Sequence, residues 1–123
     1  MDRRRQRQQR ERAGQRAEML AAWWLQAKGY RVLARRYKTP VGEIDLVVKR
    51  GGQLAFVEVK LRRHARDAAE AVHIRNQQRV VRAAQWWLQH HPEYASSTVR
   101  FDACLLAWYR WPNHIPHAFS ASH

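Results

Sequence analysis

The sequence has a single cysteine, Cys104, and that scarcity excludes several classes of protein. One cysteine rules out an internal disulfide framework and a zinc site built on several cysteines. Its place in an apolar run predicts a small core residue. No stretch approaches the ~18 consecutive apolar residues that a transmembrane helix needs. The N-terminus also lacks the apolar segment of a secretory signal, so we expect a cytoplasmic protein.

Acidic residues are also few. Ten aspartates and glutamates stand against 23 lysines and arginines, which gives a net charge of +13 at pH 7 and a pI near 11.3. A balance this basic predicts a polyanionic partner, with nucleic acid as the first candidate and an anionic membrane surface as the second. We rank the membrane low, because the apolar face of the second predicted helix is needed for the core. A chain of 123 residues predicts one domain.

Residues 42 to 60 predict two strands joined at Gly51-Gly52, because paired glycines between alternating apolar runs favour a tight hairpin turn. A turn centred on these glycines makes Asp45 face Glu58. It also makes Glu43 face Lys60. Side chains alternate along a strand, so one face should be the core face, with Ile44, Leu46, Val48, Ala55, Val57, Val59 and Leu61. The opposite face should carry Val47, Leu54, Phe56 and, at its far end, the four charged residues.

The predicted facing pair of Asp45 and Glu58 needs compensation, because like charges placed opposite each other repel. Lys60 can supply it, and a divalent cation is a better candidate, since Mg²⁺ binds carboxylate, carbonyl and water oxygens. The alternative is a solvated strand end that carries a Glu43–Lys60 salt bridge and no metal.

Asp45, followed on the next strand by Glu58-Val59-Lys60, resembles the active-site signature of the restriction-endonuclease-like, or PD-(D/E)xK, nucleases. The wider strings are similar to one branch, the YraN family of small bacterial predicted endonucleases, which is related in pattern to archaeal Holliday-junction resolvases. The likeness extends from about residue 14 to residue 119. The strings are Gly42-Glu43-Ile44-Asp45-Leu46 and Phe56-Val57-Glu58-Val59-Lys60.

The resemblance implies an α/β fold with an αβββαβ core, in which helices flank a small mixed sheet. It also implies a metal-dependent endonuclease that hydrolyses DNA, with branched or structured DNA suggested as substrate. Asp45, Glu58 and the Val59 carbonyl would hold Mg²⁺, for which Mn²⁺ should substitute. Lys60 would orient the attacking water or stabilise charge on the phosphate. Glu43 would support the site as the partner of Lys60.

We predict the first helix over residues 13 to 28, within a single domain over 13–123. Residues 1 to 12 contain six arginines, which predicts a basic flexible arm or a frayed extension of this helix. A solubilising tail is an equal interpretation of the arm. Glu18 is either a first-turn acid favoured by the helix dipole or, as the resemblance implies, a catalytic residue that binds a second metal or orients water. The expected buried stripe is Ala13, Ala17, Leu20, Ala21, Trp24 and Ala27.

Basic residues after the hairpin predict the DNA-binding surface. Arg62, Arg63 and Arg66 follow Lys60 directly in a loop that can face DNA or simply be exposed. A second helix over 68–90 should bury Val72, Val80, Ala83, Ala84, Trp87 and Leu88. The outward face of this helix carries Arg75, Arg79, Arg82 and Trp86. Such a face either contacts phosphates and stacks on a base or sugar, or is simply exposed to solvent.

Other polar residues carry weaker signals. Gln77 on the second helix can reach the site and support it. Asp102, on a strand over 98–108, should be structural and hold a loop or an arginine. His114 and His117 have zinc-ligand spacing but no cysteine and no convincing third ligand.

Two functions remain open from the sequence. One is the DNA endonuclease, and the alternative is a non-catalytic nucleic-acid-binding module with a decayed nuclease fold. DNA is the expected partner of either, no membrane is expected, and a homodimer is left open.

Overall fold

The computed structural model describes residues 2–62, 74–107 and 110–121. Within these residues the strands form one mixed sheet in the order β1-β2-β3-β4-β5, in which β3 and β4 run parallel and the other neighbours antiparallel. The α/β class and the αβββαβ order are confirmed, and the fold is compatible with a small restriction-endonuclease-like domain. The elements are α1 (Arg3–Ala27), β1 (Arg31–Thr39), β2 (Gly42–Arg50), β3 (Gln53–Arg62), α2 (Ile74–His90), a 3₁₀ helix (Pro92–Tyr94), β4 (Thr98–Ala107) and β5 (Asn113–Phe119).

Each face of the sheet is covered by one helix, because β2 and β3 carry apolar side chains on both faces. Under α1, Ala21 and Leu25 pack in one cluster with Leu46, Val57 and the predicted core residue Cys104. The second helix covers the other face with four of its predicted residues, while Leu88 is half-buried and Val72 lies outside the described residues. These four are Val80, Ala83, Ala84 and Trp87, and they cluster with Val47, Leu54, Phe56 and Phe101.

The first helix begins at Arg3, where the Asp2 carboxylate accepts a hydrogen bond from the Arg4 N–H at 2.9 Å. The arginine-rich segment is therefore an extension of the helix and not a separate arm. The predicted buried stripe is wrong at Leu20, which is 55% exposed, and at the exposed Ala27. The buried face of α1 is instead turned towards Ala22 and Leu25, and it also includes Ala17, Glu18 and Ala21. The side chain of Ala13 lies outside the described part of the structure.

The hairpin follows the predicted register from Arg50–Gln53 as far as Leu46–Val57, where the described pairing of β2 with β3 ends. Asp45 and Glu58 are therefore not a ladder pair, and neither are Glu43 and Lys60. The prediction of these two facing pairs is corrected, because the strands stop exchanging backbone hydrogen bonds one residue earlier.

The prediction for Ile44 is also wrong. It packs with Val47 in the cluster under α2, not with Leu46 under α1. On β1, Arg36 has a φ of +49° and lies between the pairs Arg35–Leu46 and Tyr37–Ile44. A residue with left-handed backbone interrupts the alternation of side chains between the two faces of a sheet. In both strands, the side chains beyond this point therefore lie on the opposite face from the one that regular alternation predicts. Asp45 occupies this point on β2.

The second helix approaches β2 most closely at Gly42. A Cβ atom at Gly42 would collide with the carbonyl oxygen of Arg79 and lie 3.1 Å from its carbonyl carbon. The obstacle is backbone, so no change of rotamer can relieve it. Glycine at the start of β2 thus lets α2 bring Arg79 beside Glu43 and Asp45. Neither described helix has a stretch long and apolar enough to cross a lipid bilayer.

Replacing Gly42 should therefore destabilise the protein. We expect Gly42→Ala to lower the free energy of unfolding by about 1–3 kcal/mol, as overpacking does. Gly14→Ala is the control, because a Cβ there meets no atom within 4 Å and alanine favours a helix over glycine by up to about 1 kcal/mol. Urea unfolding of the two variants tests this. Equal stability of Gly42→Ala and the wild type would contradict the close approach.

Candidate active site

The predicted site residues meet where β2 and β3 separate. One cavity, of about 240 Å³, is lined by Glu43, Asp45, Glu58 and Lys60 together with Arg79 and Val80 of α2. A second cavity, of about 410 Å³, shares three of these residues and extends to α1. Its walls include Glu18, Arg36, Glu43, Asp45, Lys60 and Arg62. The carboxylates of Glu43 and Asp45 thus border both cavities.

Asp45 is partly buried, and its carboxylate is fixed by one backbone group. Its Oδ2 accepts a hydrogen bond from the Val59 N–H at 2.8 Å, at the place where the ladder between the strands has ended. Burial raises the pKa of Asp45 to about 6, and the charge of Glu58 adds to that rise. The Val59 hydrogen bond and Lys60 oppose it. A cation beside Asp45 would relieve the cost of its charge.

Glu58 is only 4% exposed, and its Oε1 lies 3.1 Å from the Lys60 Nζ. The predicted Glu43–Lys60 partnership is corrected to Glu58–Lys60, because residues two apart on a strand share a face. Glu43 is exposed at the rim. The second oxygen of Glu58, Oε2, is buried without a hydrogen-bond partner among the described residues. Because a buried acceptor without a partner is costly, the arrangement favours a cation or donor at this oxygen.

Glu18 is buried far from the first turn of α1, so the helix-dipole interpretation is wrong. Its Oε1 accepts a hydrogen bond from the Arg35 Nε at 3.2 Å, and its Oε2 lies 3.6 Å from the Arg36 Nε. Its described charged partners are thus two arginines of β1. The side chain lines the cavity that contains Asp45 and Lys60 and ties α1 to the segment where β1 changes face.

The carboxylates of the site suit a metal that takes few protein ligands. Within residues 2–62, 74–107 and 110–121, no three histidine, cysteine, aspartate or glutamate side chains are arranged to hold one ion. Asp45 and Glu58 remain, and Mg²⁺ commonly takes one or two protein carboxylates and completes its shell with water. The unpartnered Oε2 of Glu58 and the high pKa of Asp45 fit such an ion.

Basic side chains surround the carboxylates. Arg62, Arg79 and Arg82 are exposed, and Arg79 and Arg82 also line a cleft beside the β1–β2 turn. Trp86 is half-buried and stacks on His90, with ring centroids 4.6 Å apart. Three of the predicted DNA-binding side chains lie outside the described part of the structure, namely those of Arg63, Arg66 and Arg75.

Gln77 is not brought to the carboxylates. It lines a separate cavity with Val81, Arg82 and Ser120. Conversely, sequence reasoning did not include Arg35 and Arg36 in the site. The sequence did point to them, because a carboxylate at a core boundary such as Glu18 needs a partner, and these two arginines lie on the strand before the hairpin.

Asp102 is structural, as predicted, and holds an arginine. The Arg100 Nε and Nη2 donate to its two oxygens at 2.8 Å each, and the His114 Nε2 lies 2.7 Å from Oδ2. Burial raises the pKa of Asp102, but the hydrogen bonds with His114 and Arg100 outweigh burial and hold it below its ordinary value. His114 is thus part of a polar network that joins β5 to β4, and the His117 backbone N–H also donates to Asp102.

The raised pKa of Asp45 predicts a pH-dependent stability. The folded protein holds this proton more tightly than the unfolded chain, so stability falls as pH rises from about 4 to about 6. Asp45→Asn keeps an oxygen for the Val59 N–H but cannot ionise. We expect it to be more stable than the wild type at pH 7 in EDTA, on the order of 1–3 kcal/mol, and similar at pH 4.

Urea unfolding at both pH values measures this difference. Glu93→Gln is the control, because it neutralises an exposed carboxylate on the 3₁₀ helix and should change stability by less than about 0.5 kcal/mol. A lower stability of Asp45→Asn at pH 7 would contradict the unfavourable charge.

Comparison with known proteins gives the family. The family described as "Uncharacterised protein family UPF0102" matches residues 17–106. A UPF0102 protein of Rhodopseudomonas palustris (strain BisB18) is 57% identical over 111 residues, covering 90% of this chain and 82% of the relative. A UPF0102 protein of Nitrobacter winogradskyi is 56% identical over 110 residues, covering 89% and 93%. The chain therefore belongs to the uncharacterised protein family UPF0102, which is the YraN family that its sequence resembles.

Proposed function

We propose that the protein is a metal-dependent endonuclease that hydrolyses phosphodiester bonds in DNA. The observation that carries the proposal is the shared cavity of Asp45, Glu58, Lys60 and Arg79. Two carboxylates suit a divalent cation, and the lysine and arginine beside them suit a phosphate. The relatives are themselves uncharacterised, so the proposal rests on the site and on the resemblance of its motif to nucleases.

DNA binding would depend on the surface around this cavity. Arg79 lines the cavity with the carboxylates, and Arg36 and Arg62 line the neighbouring one. A phosphate bound by Arg79, or by Arg36 and Arg62, would lie close to Asp45 and Lys60. With a net charge of +13, the protein would be attracted to the DNA backbone irrespective of sequence.

Asp45 and Glu58, with the Val59 carbonyl as the proposed third oxygen, would hold the cation. When bound, Mg²⁺ would polarise the phosphate and lower the pKa of a water ligand, and we expect Mn²⁺ to substitute. The Val59 N–H fixes one oxygen of Asp45. Lys60 has three N–H donors, of which Glu58 engages one, so it can also donate to a phosphate oxygen or to the attacking water.

A non-catalytic nucleic-acid-binding module is the second candidate. Glu58 is paired with Lys60, and Glu18 with Arg35 and Arg36. Carboxylates that are neutralised in this way within the chain can be structural and need no metal. The two functions differ in one respect, which is whether the bound DNA is cut.

Cleavage is the first test. In single-turnover assays with Mg²⁺ or Mn²⁺ on linear, single-stranded and branched DNA, the wild type should cut at least one substrate. Asp45→Asn should abolish cleavage and leave DNA affinity equal or higher, because a negative charge is lost. Lys60→Ala should also abolish cleavage but weaken binding somewhat.

Glu93→Gln is the matched control and should cut as the wild type does. Equal activity of Asp45→Asn and the wild type would remove the proposed site. A wild type that binds every DNA tightly and cuts none would favour the binding module.

Salt dependence is the second test. With about six phosphate contacts, the logarithm of the duplex binding constant should fall against the logarithm of salt concentration with a slope near −5. Fluorescence polarisation between about 50 and 200 mM salt measures it. A flat titration would remove DNA as a partner of this surface.

A further inference from the structure

An apolar groove lies at the surface on the α1 side of the molecule. It has a volume of about 440 Å³ and lies between α1, the ends of β3 and β4, and residues 110–112. Trp23 is 63% exposed there, Trp111 77% and Leu20 55%. Three large apolar side chains exposed around one groove are uncommon on a soluble domain and mark a binding surface.

Trp111, on one wall of the groove, already packs on another aromatic ring. The Trp111 ring packs against the half-buried Trp24, with centroids 5.6 Å apart and the planes tilted by 31°. Trp23 extends from the backbone of α1, whose Ala17 and Glu18 are buried. A rigid aromatic surface loses little entropy when a flat ligand stacks on it.

The charge around the groove points to one kind of ligand. Arg16 and Arg110 line it together with the apolar side chains. A groove with aromatic walls and arginines suits a nucleotide, whose base stacks while its phosphate pairs with a guanidinium. An uncharged apolar peptide would leave both arginines without a matching charge.

The groove also adjoins the candidate active site. Ala17 and Leu61 line both the groove and the cavity that contains Asp45 and Lys60. A strand with one base in the groove can therefore run along this shared wall and bring a neighbouring phosphate to the carboxylates.

We propose that the groove binds an unpaired base of the substrate strand, so that the protein selects DNA with unpaired nucleotides next to duplex. A base inside a duplex is stacked on both faces and cannot enter without being flipped out. A base in a fork, flap or single strand is free to enter. This inference rests on the proposed action on DNA and specifies which DNA is recognised.

The test measures binding in EDTA, where cleavage plays no part. Fluorescence polarisation compares a fork with two single-stranded arms with a blunt duplex of the same length. The wild type should prefer the fork. Trp23→Leu, which keeps an apolar side chain but removes the aromatic face, should weaken fork binding roughly tenfold and leave duplex binding unchanged. Trp23→Phe should retain most of the preference.

Met19→Ala is the matched control, because Met19 is a 54% exposed apolar residue of α1 that does not line the groove. It should leave the fork preference unchanged. Trp111→Leu should repeat the effect of Trp23→Leu from the opposite wall, with thermal melting used to confirm that the variant is folded.

Two results would overturn the proposal. One is a fork-to-duplex ratio that stays the same in Trp23→Leu and in the wild type. The other is a dimer, detected by sedimentation, that Trp23→Leu dissociates while the ratio stays the same, since the groove would then hold a second copy. A wild type that never cuts DNA would refute the nuclease but would not alter this ratio, so the two proposals fail separately.

Discussion

The hydrogen bond from the Val59 N–H to the Asp45 Oδ2 is the interaction on which the candidate site depends. It replaces a ladder bond at the point where β2 and β3 separate, and so holds a partly buried carboxylate in a gap between strands. The left-handed Arg36 lets β1 follow the same change of face, and Glu18 secures that segment to α1. From the other side, Gly42 admits α2 and with it Arg79.

The electrostatics of the site are those of an acidic centre in a basic protein. Glu58 and Glu18 have cationic partners within the chain. Asp45 has mainly a backbone donor, and burial raises its pKa to about 6. The folded protein thus maintains an unfavourable charge at the residue that a cation would stabilise most, a pattern typical of functional sites.

Local patterns predicted much of this arrangement. The Gly51-Gly52 turn set the register, and the two-residue spacing of Glu58 and Lys60 placed both on one face. The end of the ladder and the switch of Ile44 to the α2 face could not be predicted, because they depend on how β1 and the two helices pack. The exposure of Leu20 had the same origin, since the buried face of α1 is turned towards Ala22 and Leu25.

Direct titration of a divalent cation tests the central claim, that Asp45 and Glu58 form a cation site, without DNA or catalysis. Mn²⁺ binding, followed by electron paramagnetic resonance of the free ion at pH 7.5, should show one saturable site on the wild type that Mg²⁺ displaces. Asp45→Asn and Glu58→Gln should each lose it, and Glu93→Gln should keep it. Below pH 6 the wild type should bind the ion more weakly, because protons compete with it for Asp45. Equal binding by Asp45→Asn and the wild type, or no saturable binding by the wild type, would contradict the account.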